Sequence, residues 1–452
     1  MTDLSPSQAR SMRAFLDSLV RSARRFGGWR PDGSGGDRVV PGQHAVEQLE
    51  LSARRLLSER AHAAGTALPA SFIQGYSSLP DAQREEMLTV LAEAFGPDEA
   101  ALRRACEAYL DNPGPEAANR LASLSEAPRQ ELFRRINQAP LGTAALVRLR
   151  EDVLDVLPRR PDLKQLDDDL LHLFRSWFNR GFLVMRRIDW SSPADLLEKI
   201  IRYEAVHSIE SWRDLRERLA PADRRCYAFF HPALLDEPLI FIEVALTPAI
   251  VPSIQTILAP DRDVIPPGAA RAAMFYSISN CQRGLQGVSF GHHLIQQVVE
   301  DLLRELPNLS QFVTLSPVPG FGPWVREQAA AGREEAVEAL AEATGGQVPA
   351  DSRVLPLAVD YFTHAKDRKG RPRDPVARFH LGNGARLERL CPAGDVSAHG
   401  LGASLGLMVN YLYDLSTLEA NRDSFIADGT VTWGAPAKAS ARQASQTELT
   451  RV

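Results

Sequence analysis

The spacing of apolar and polar residues divides the chain into two unlike parts. Through residue 180 apolar positions recur every three or four residues, the pattern of helices with one buried face. Ala45–Leu57, Ala101–Leu110, Glu131–Ile136 and Leu163–Phe178 all carry it. Another helix is predicted after Ser78-Leu79-Pro80-Asp81, which reads as a capping-box start. Its Leu88, Leu91 and Phe95 share a face, and Gly96-Pro97 ends it. Residues 27–43, with Gly27, Gly28, Gly33, Gly35, Gly36 and Pro41, read as a mobile loop. No residue pattern in this part points to chemistry. Amphipathic stripes face cores or partner helices, so a bundle for packing or self-association is expected.

The period changes near Gly181. Phe182–Ile188 reads as a strand, and Ser191-Ser192-Pro193 then opens a helix, serine capping it and proline in its first turn. Leu239–Leu246 is almost continuously apolar, as a strand buried on both faces would be, although it contains Glu243. A helix over Ile250–Leu258, a Pro-rich loop over Asp261–Gly268 and a strand over Ala272–Ser279 follow. The loop Asn280–Phe290 leads into a helix with Leu294, Ile295, Val298, Val299, Leu302, Leu303 and Leu306 on one face; Pro307 stops it. Gln311–Leu315 is the next strand, and the tail after Trp433 reads as frayed or weakly helical. Strands alternating with helices after an all-helical start predict an α+β protein, with a helical domain over 1–180 and a mixed-sheet domain over 181–452.

Length and charge agree with that division. At 452 residues the chain is long enough for two domains with full cores. Fifty-two Lys plus Arg against 57 Asp plus Glu leave a net charge of −5, which argues against non-specific nucleic-acid binding. The longest apolar run is too short to span a bilayer, so no membrane role is expected. Cys106, Cys226, Cys281 and Cys391 form no CxxC pair, which disfavours a zinc knuckle or a dithiol centre and fits a reducing compartment. The N-terminal Arg10, Arg13, Arg21, Arg24 and Arg25 faintly suggest a mitochondrial presequence, but Asp3 and Asp17 count against one.

Chemistry concentrates in a few later segments. Phe275–His293 reads as strand, Gly-rich loop and helix, in which free N–H groups opening the helix would face an anion. The spacing matches neither GxGxxG nor GxxxxGK[ST], so a dinucleotide or Walker site is disfavoured. It resembles instead the acyl-CoA core of the acetyltransferase-like (GNAT) fold. In Thr314-Leu315-Ser316-Pro317-Val318-Pro319-Gly320-Phe321 the prolines stop ladder formation where Ser316 emerges. A serine there is either a turn residue or a reactive hydroxyl. His380, in Arg378-Phe379-His380-Leu381-Gly382-Asn383-Gly384, is either a satisfied core group or a proton carrier. Gly406-Leu407-Met408-Val409-Asn410-Tyr411-Leu412-Tyr413 would pass as a core strand or helix. The basic run Lys366, Arg368, Lys369, Arg371 and Arg373 reads as a solvated face, with phosphate contact as the alternative.

Taken in order, Gly-Leu-Gln-Gly-Val, Leu-Ser-Pro-Val-Pro-Gly-Phe, Phe-His-Leu-x-Asn-Gly-Ala and Gly-Leu-Met-Val-Asn-Tyr-x-Tyr resemble the malonyl-CoA decarboxylase family. The resemblance implies a helical N-terminal domain for oligomerisation, as a dimer or tetramer, and a GNAT-like catalytic domain. It implies decarboxylation of malonyl-CoA to acetyl-CoA and CO₂, with the thioester as electron sink and no metal or organic cofactor. Ser316, His380 and Tyr413 match the family's catalytic residues. Gln286, Gly287, Val288, Ser289, Phe290, Gly291 and His292 match its CoA loop, and Asn410 is expected at the substrate. Animal members carry a glutamate where this chain has Ser289, which puts that acid's role in doubt here. His380, with an ordinary pKa near 6.5, is the expected proton donor. The alternatives are an acyl-CoA N-acyltransferase on the same fold and a non-catalytic CoA sensor. A bacterial cytoplasm is the expected location: only five of the 52 basic residues are lysine, which suggests GC-rich coding, and the chain ends Thr450-Arg451-Val452, without the peroxisomal tripeptide of animal relatives.

Overall fold

A computed structural model describes residues 44–58, 66–288, 293–440 and 442. The expected loop at 27–43, the arginine-rich N-terminus and Ser289, Phe290, Gly291 and His292 lie outside these residues. The chain divides into two compact units.

The first unit comprises, among the described residues, 44–183 together with His231–Asp236 and Gln282–Val288. Its helices are α1 (Ala45–Leu57), α2 (Ala67–Ser77), α3 (Asp81–Glu93), α4 (Glu99–Asp111), α5 (Pro115–Ser125), α6 (Pro128–Asn137), α7 (Gly142–Val156) and α8 (Lys164–Trp177). The four apolar stripes read from the sequence fall on α1, α4, α6 and α8. Leu49, Leu88, Leu132, Phe133, Leu170 and Phe174 are wholly buried. The expected cap at Ser78 is not formed. Pro80 occupies the N-cap of α3, and the Ser78 hydroxyl turns back to donate to the Gly75 carbonyl of α2. A serine between two helices can satisfy either the orphan N–H groups ahead or the orphan carbonyls behind; here it does the latter.

The second unit begins with β1 (Val184–Ile188), α9 (Ala194–Tyr203), α10 (Trp212–Leu219), β2 (Arg224–Phe230), β3 (Pro238–Thr247), α11 (Ile254–Leu258) and β4 (Ala272–Asn280). It continues through α12 (His293–Glu305), β5 (Gln311–Thr314), β6 (Ser316–Pro317), α13 (Phe321–Ala330), α14 (Glu334–Thr344) and α15 (Asp351–His364). The last elements are α16 (Pro375–Gly382), β7 (Arg386–Cys391), α17 (Ala398–Ser404), β8 (Met408–Leu412) and α18 (Leu418–Asp428). Pro193 sits at the N-cap of α9, one position earlier than expected, and the Ser192 hydroxyl accepts from the Asp189 N–H instead of capping the helix. Pro252 and the extended Ser253 confine the helix expected from Ile250 to α11.

The strands form one mixed sheet in the order β1-β2-β3-β4-β5-β8-β6, with β7 also on β8. β1 to β4 are antiparallel neighbours, whereas β4 and β5 run parallel across the connecting α12. This strand–loop–helix–strand unit beside an antiparallel meander is the GNAT-like arrangement. β3 is buried along nearly its whole length, as its apolar run predicts. Its Glu243 is tolerated because Arg218 of α10 donates to it at 3.0 Å. Two irregularities open the sheet near its centre. A register shift between Glu243 and Val244 leaves Tyr276 of β4 unmatched. The parallel pairing also stops at Phe275↔Thr314, with the Leu315 N–H on the Phe275 carbonyl, while β4 runs on to Asn280.

Candidate active site

Strand periodicity assembles this site. Residues two apart on a strand point to one face, which places Thr314 beside Ser316 and Tyr411 beside Tyr413. Ser316 pairs with Val409 across β6 and β8, so the two short segments hold their hydroxyls side by side. His380 enters from α16. That helix starts at Pro375 because Asp374 caps it, its Oδ1 accepting from the N–H groups of Val376 and Ala377 at 2.9 Å each. The Asp374 Oδ2 accepts from the Gly320 N–H at 3.0 Å, which ties the helix start to the turn following Ser316. At Gly320 a Cβ would collide with the Tyr361 hydroxyl, so any larger residue must displace that side chain.

The three side chains expected to be catalytic meet. Ser316 Oγ lies 3.0 Å from His380 Nε2, and His380 Nδ1 lies 2.8 Å from the Tyr413 hydroxyl. Ser316 also donates to Thr314 Oγ1 at 2.9 Å. The Tyr411 ring stacks on the His380 ring at 4.7 Å and 25°. Ser316, His380 and Tyr413 are each at most 6% exposed. This burial alters the expected chemistry. Desolvation pushes the His380 pKa down to about 3, so at neutral pH the ring is neutral and its ordinary value does not apply. Burial also pushes the Tyr413 phenol well above its usual range, so the resting phenol is neutral. The site is a line of neutral donors and acceptors, with no imidazolium.

Asn410 stands behind this line. It is fully buried, and its amide N–H₂ donates to the Thr314 carbonyl at 3.0 Å and the Val251 carbonyl at 3.3 Å. Its Oδ1 accepts from the Cys391 thiol. With these bonds made, Asn410 braces the strand pair. Thr314 and Tyr411 were missed by sequence reasoning, although the alternation Thr-Leu-Ser and Tyr-Leu-Tyr carried the signal.

The Gly-rich loop packs within the helical unit. Arg150 of α7 donates from Nη1 to the carbonyls of Gly284 and Gln286 at 2.7 Å each, and its Nε donates to Asp167 of α8 at 2.8 Å. The Gly284 N–H donates to Glu151, and a Cβ on Gly284 would strike the Val147 carbonyl. Gly287 has φ +84, a left-handed conformation that suits glycine. Val288 is buried, whereas Gln286 and Gly287 are exposed. No spacing rule could have found Arg150, because the loop carbonyls it holds lie more than a hundred residues away in sequence. In the basic run, Arg371 pairs with Asp367 and Arg373 makes a two-pronged pair with Glu327, as on a solvated surface. Among the described residues no cluster of three metal-ligating side chains occurs, and no helix is long and apolar enough to cross a membrane.

The chain is similar to known proteins along most of its length. The malonyl-CoA decarboxylase C-terminal domain matches residues 181–451, and the malonyl-CoA decarboxylase N-terminal domain matches 95–178. The mitochondrial malonyl-CoA decarboxylase of Rattus norvegicus is 34% identical over 89% of this chain and 92% of its own. The crystal structure of malonyl-CoA decarboxylase from Rhodopseudomonas palustris superposes with a TM-score of 0.83 at 50% identity, covering 88% of this chain and 99% of that one. The corresponding structure from Agrobacterium vitis gives 0.81 at 48% identity, covering 87% and 99%. This chain belongs to the malonyl-CoA decarboxylase family.

Proposed function

We propose that this protein decarboxylates malonyl-CoA to acetyl-CoA and CO₂, the enolate being quenched by a proton that His380 relays through Ser316. The observation that carries the reading is the hydrogen-bonded line from Tyr413 through His380 to Ser316 in a chain of this family. When the bond between the α-carbon and the carboxylate breaks, its electron pair moves onto the thioester oxygen and CO₂ leaves. The enolate then collapses, and its α-carbon takes a proton. A thioester enolate is basic enough to accept that proton from a neutral hydroxyl backed by a neutral imidazole, so His380 need not be charged. In this scheme Ser316 gives its hydroxyl proton to carbon, its oxygen takes the Nε2 proton, and Nδ1 recovers one from Tyr413. Solvent restores the last proton. The substrate carries its own electron sink, which is why no metal or organic cofactor enters the scheme.

The loop Gln286–His292 is proposed to hold the CoA portion. Two features support it: the exposure of Gln286 and Gly287, and the seating of the loop through Arg150. The helical region is proposed to mediate self-association, since α4 buries only Ala105, α5 buries no residue, and Leu110 is 77% exposed. The test of function is release of ¹⁴CO₂ from carboxyl-labelled malonyl-CoA with no amine acceptor present. Steady release with acetyl-CoA as co-product is expected. Acyl transfer to an added amine without CO₂ release, or CoA binding without turnover, would overturn the reading.

A further inference from the structure

A proton inventory of the buried line singles out a residue outside the family motif. Tyr413, Ser316 and Thr314 each bring one hydroxyl proton, and neutral His380 brings one ring proton. Two orders are conceivable. In the first, Tyr413 donates to Nδ1, Nε2–H donates to Ser316, and Ser316 donates to Thr314. In the second every bond is reversed: Thr314 donates to Ser316, Ser316 to Nε2, and Nδ1–H to Tyr413. Only the first leaves a ring proton facing Ser316, ready to follow the hydroxyl proton that Ser316 loses.

The Ser316–Thr314 bond favours the first. The Ser316 hydroxyl donates to Thr314 Oγ1 at 2.9 Å, so its oxygen is left to accept from Nε2. Thr314 is fully buried and cannot swing aside. The Tyr411 N–H donates to its Oγ1 at 3.3 Å, and the Asn410 amide holds its carbonyl at 3.0 Å. We infer that Thr314 is a positioning residue for decarboxylation: its fixed hydroxyl oxygen draws the Ser316 proton away from His380 and so sets the ring tautomer that backs proton delivery. The inference rests on the decarboxylase reading.

Thr314→Val keeps the shape and removes the acceptor, while Thr314→Ser keeps the hydroxyl. Thr314→Val is expected to lower kcat about tenfold, the worth of one hydrogen bond of this kind, with KM for malonyl-CoA unchanged. Thr314→Ser is expected to recover most of the loss. Wild-type turnover in the valine variant, or equal losses in both variants accompanied by a raised KM, would overturn the inference. Should either variant fail to fold, the ring of His380 in the wild-type protein decides. Its ¹⁵N chemical shifts should report the Nε2–H tautomer, and the Nδ1–H tautomer would refute the inference. A wild-type protein that releases no CO₂ would refute the decarboxylase reading instead, which the ring measurement does not address.

Discussion

Arg150 offers the sharpest test of how the Gly-rich loop is built. Its side chain and that of Asp167 are 3% and 6% exposed. Arg150→Met removes the Asp167 bond and both bonds to loop carbonyls while keeping most of the apolar stem. Asp167 then retains only Lys164, at 3.1 Å and half in solvent. Breaking one side of a buried ion pair costs about 3–5 kcal/mol, because the remaining charge is left without adequate solvation. At roughly 2–4 °C per kcal/mol for a unit of this size, the melting temperature of the helical unit should fall by about 6–20 °C. Below that transition the loop carbonyls are freed, and the fraction of loop in the seated form falls. Apparent affinity for malonyl-CoA falls by the same fraction, so KM should rise more than kcat drops. Arg150→Lys should restore little, since one ammonium cannot reproduce the planar fork. The assay pairs steady-state kinetics with hydrogen exchange over 282–288. If exchange there and KM both match wild type in Arg150→Met, the loop does not depend on Arg150 and the reasoning fails.

Four further outcomes follow from the site. His380→Gln should lower kcat by roughly 10²–10⁴-fold, as for loss of a proton-transfer group, and wild-type turnover in a folded variant would remove His380 from the chemistry. The same variant tests the burial of the ring. Its pKa is about 3 when folded against ~6.5 unfolded, so the unfolded chain takes up the proton first on acidification. The stabilisation is fully present above pH 6.5 and is lost as pH falls from there toward 3, on the order of 5 kcal/mol in all. His380→Gln should flatten that part of the stability–pH curve, and equal slopes in both proteins would contradict it. Ser316→Ala should depress kcat with little change in CoA affinity; lost affinity alone would make Ser316 a binding residue. Gly320→Ala drives a methyl group toward Tyr361 and Asp374 and should destabilise by about 1–3 kcal/mol, measured as a lowered midpoint in urea.

The sequence was most informative where one period ran without competition. The helix over Ala45–Leu57 and the buried strand beginning at Pro238 lie where their apolar patterns put them. Capping was less legible because Ser78 and Ser192 each have two sets of backbone partners within reach, and only the packed chain decides between them. Ser316, His380 and Tyr413 could be named from motifs, and the strand alternation could have added Thr314 and Tyr411. What no local pattern carries is the state of the ring. His380 is neutral because strands and a helix from distant parts of the chain enclose it, and that enclosure exists only in the fold. Arg150 was illegible for the same reason, its role being defined by carbonyls that tertiary packing brings to it.

On the proposed mechanism, a wholly neutral serine–histidine–tyrosine line completes the loss of CO₂ from a malonyl thioester. Its most direct test is to follow CO₂ and acetyl-CoA together in one reaction, for the wild-type protein and His380→Ala side by side, with malonyl-CoA the sole substrate. The two products are expected in equal amounts from the wild type, at a rate that holds from pH 5 to pH 8, with near-silence from the variant. Wild-type turnover that vanishes as pH rises through 6.5, or a variant as fast as the parent, would contradict it.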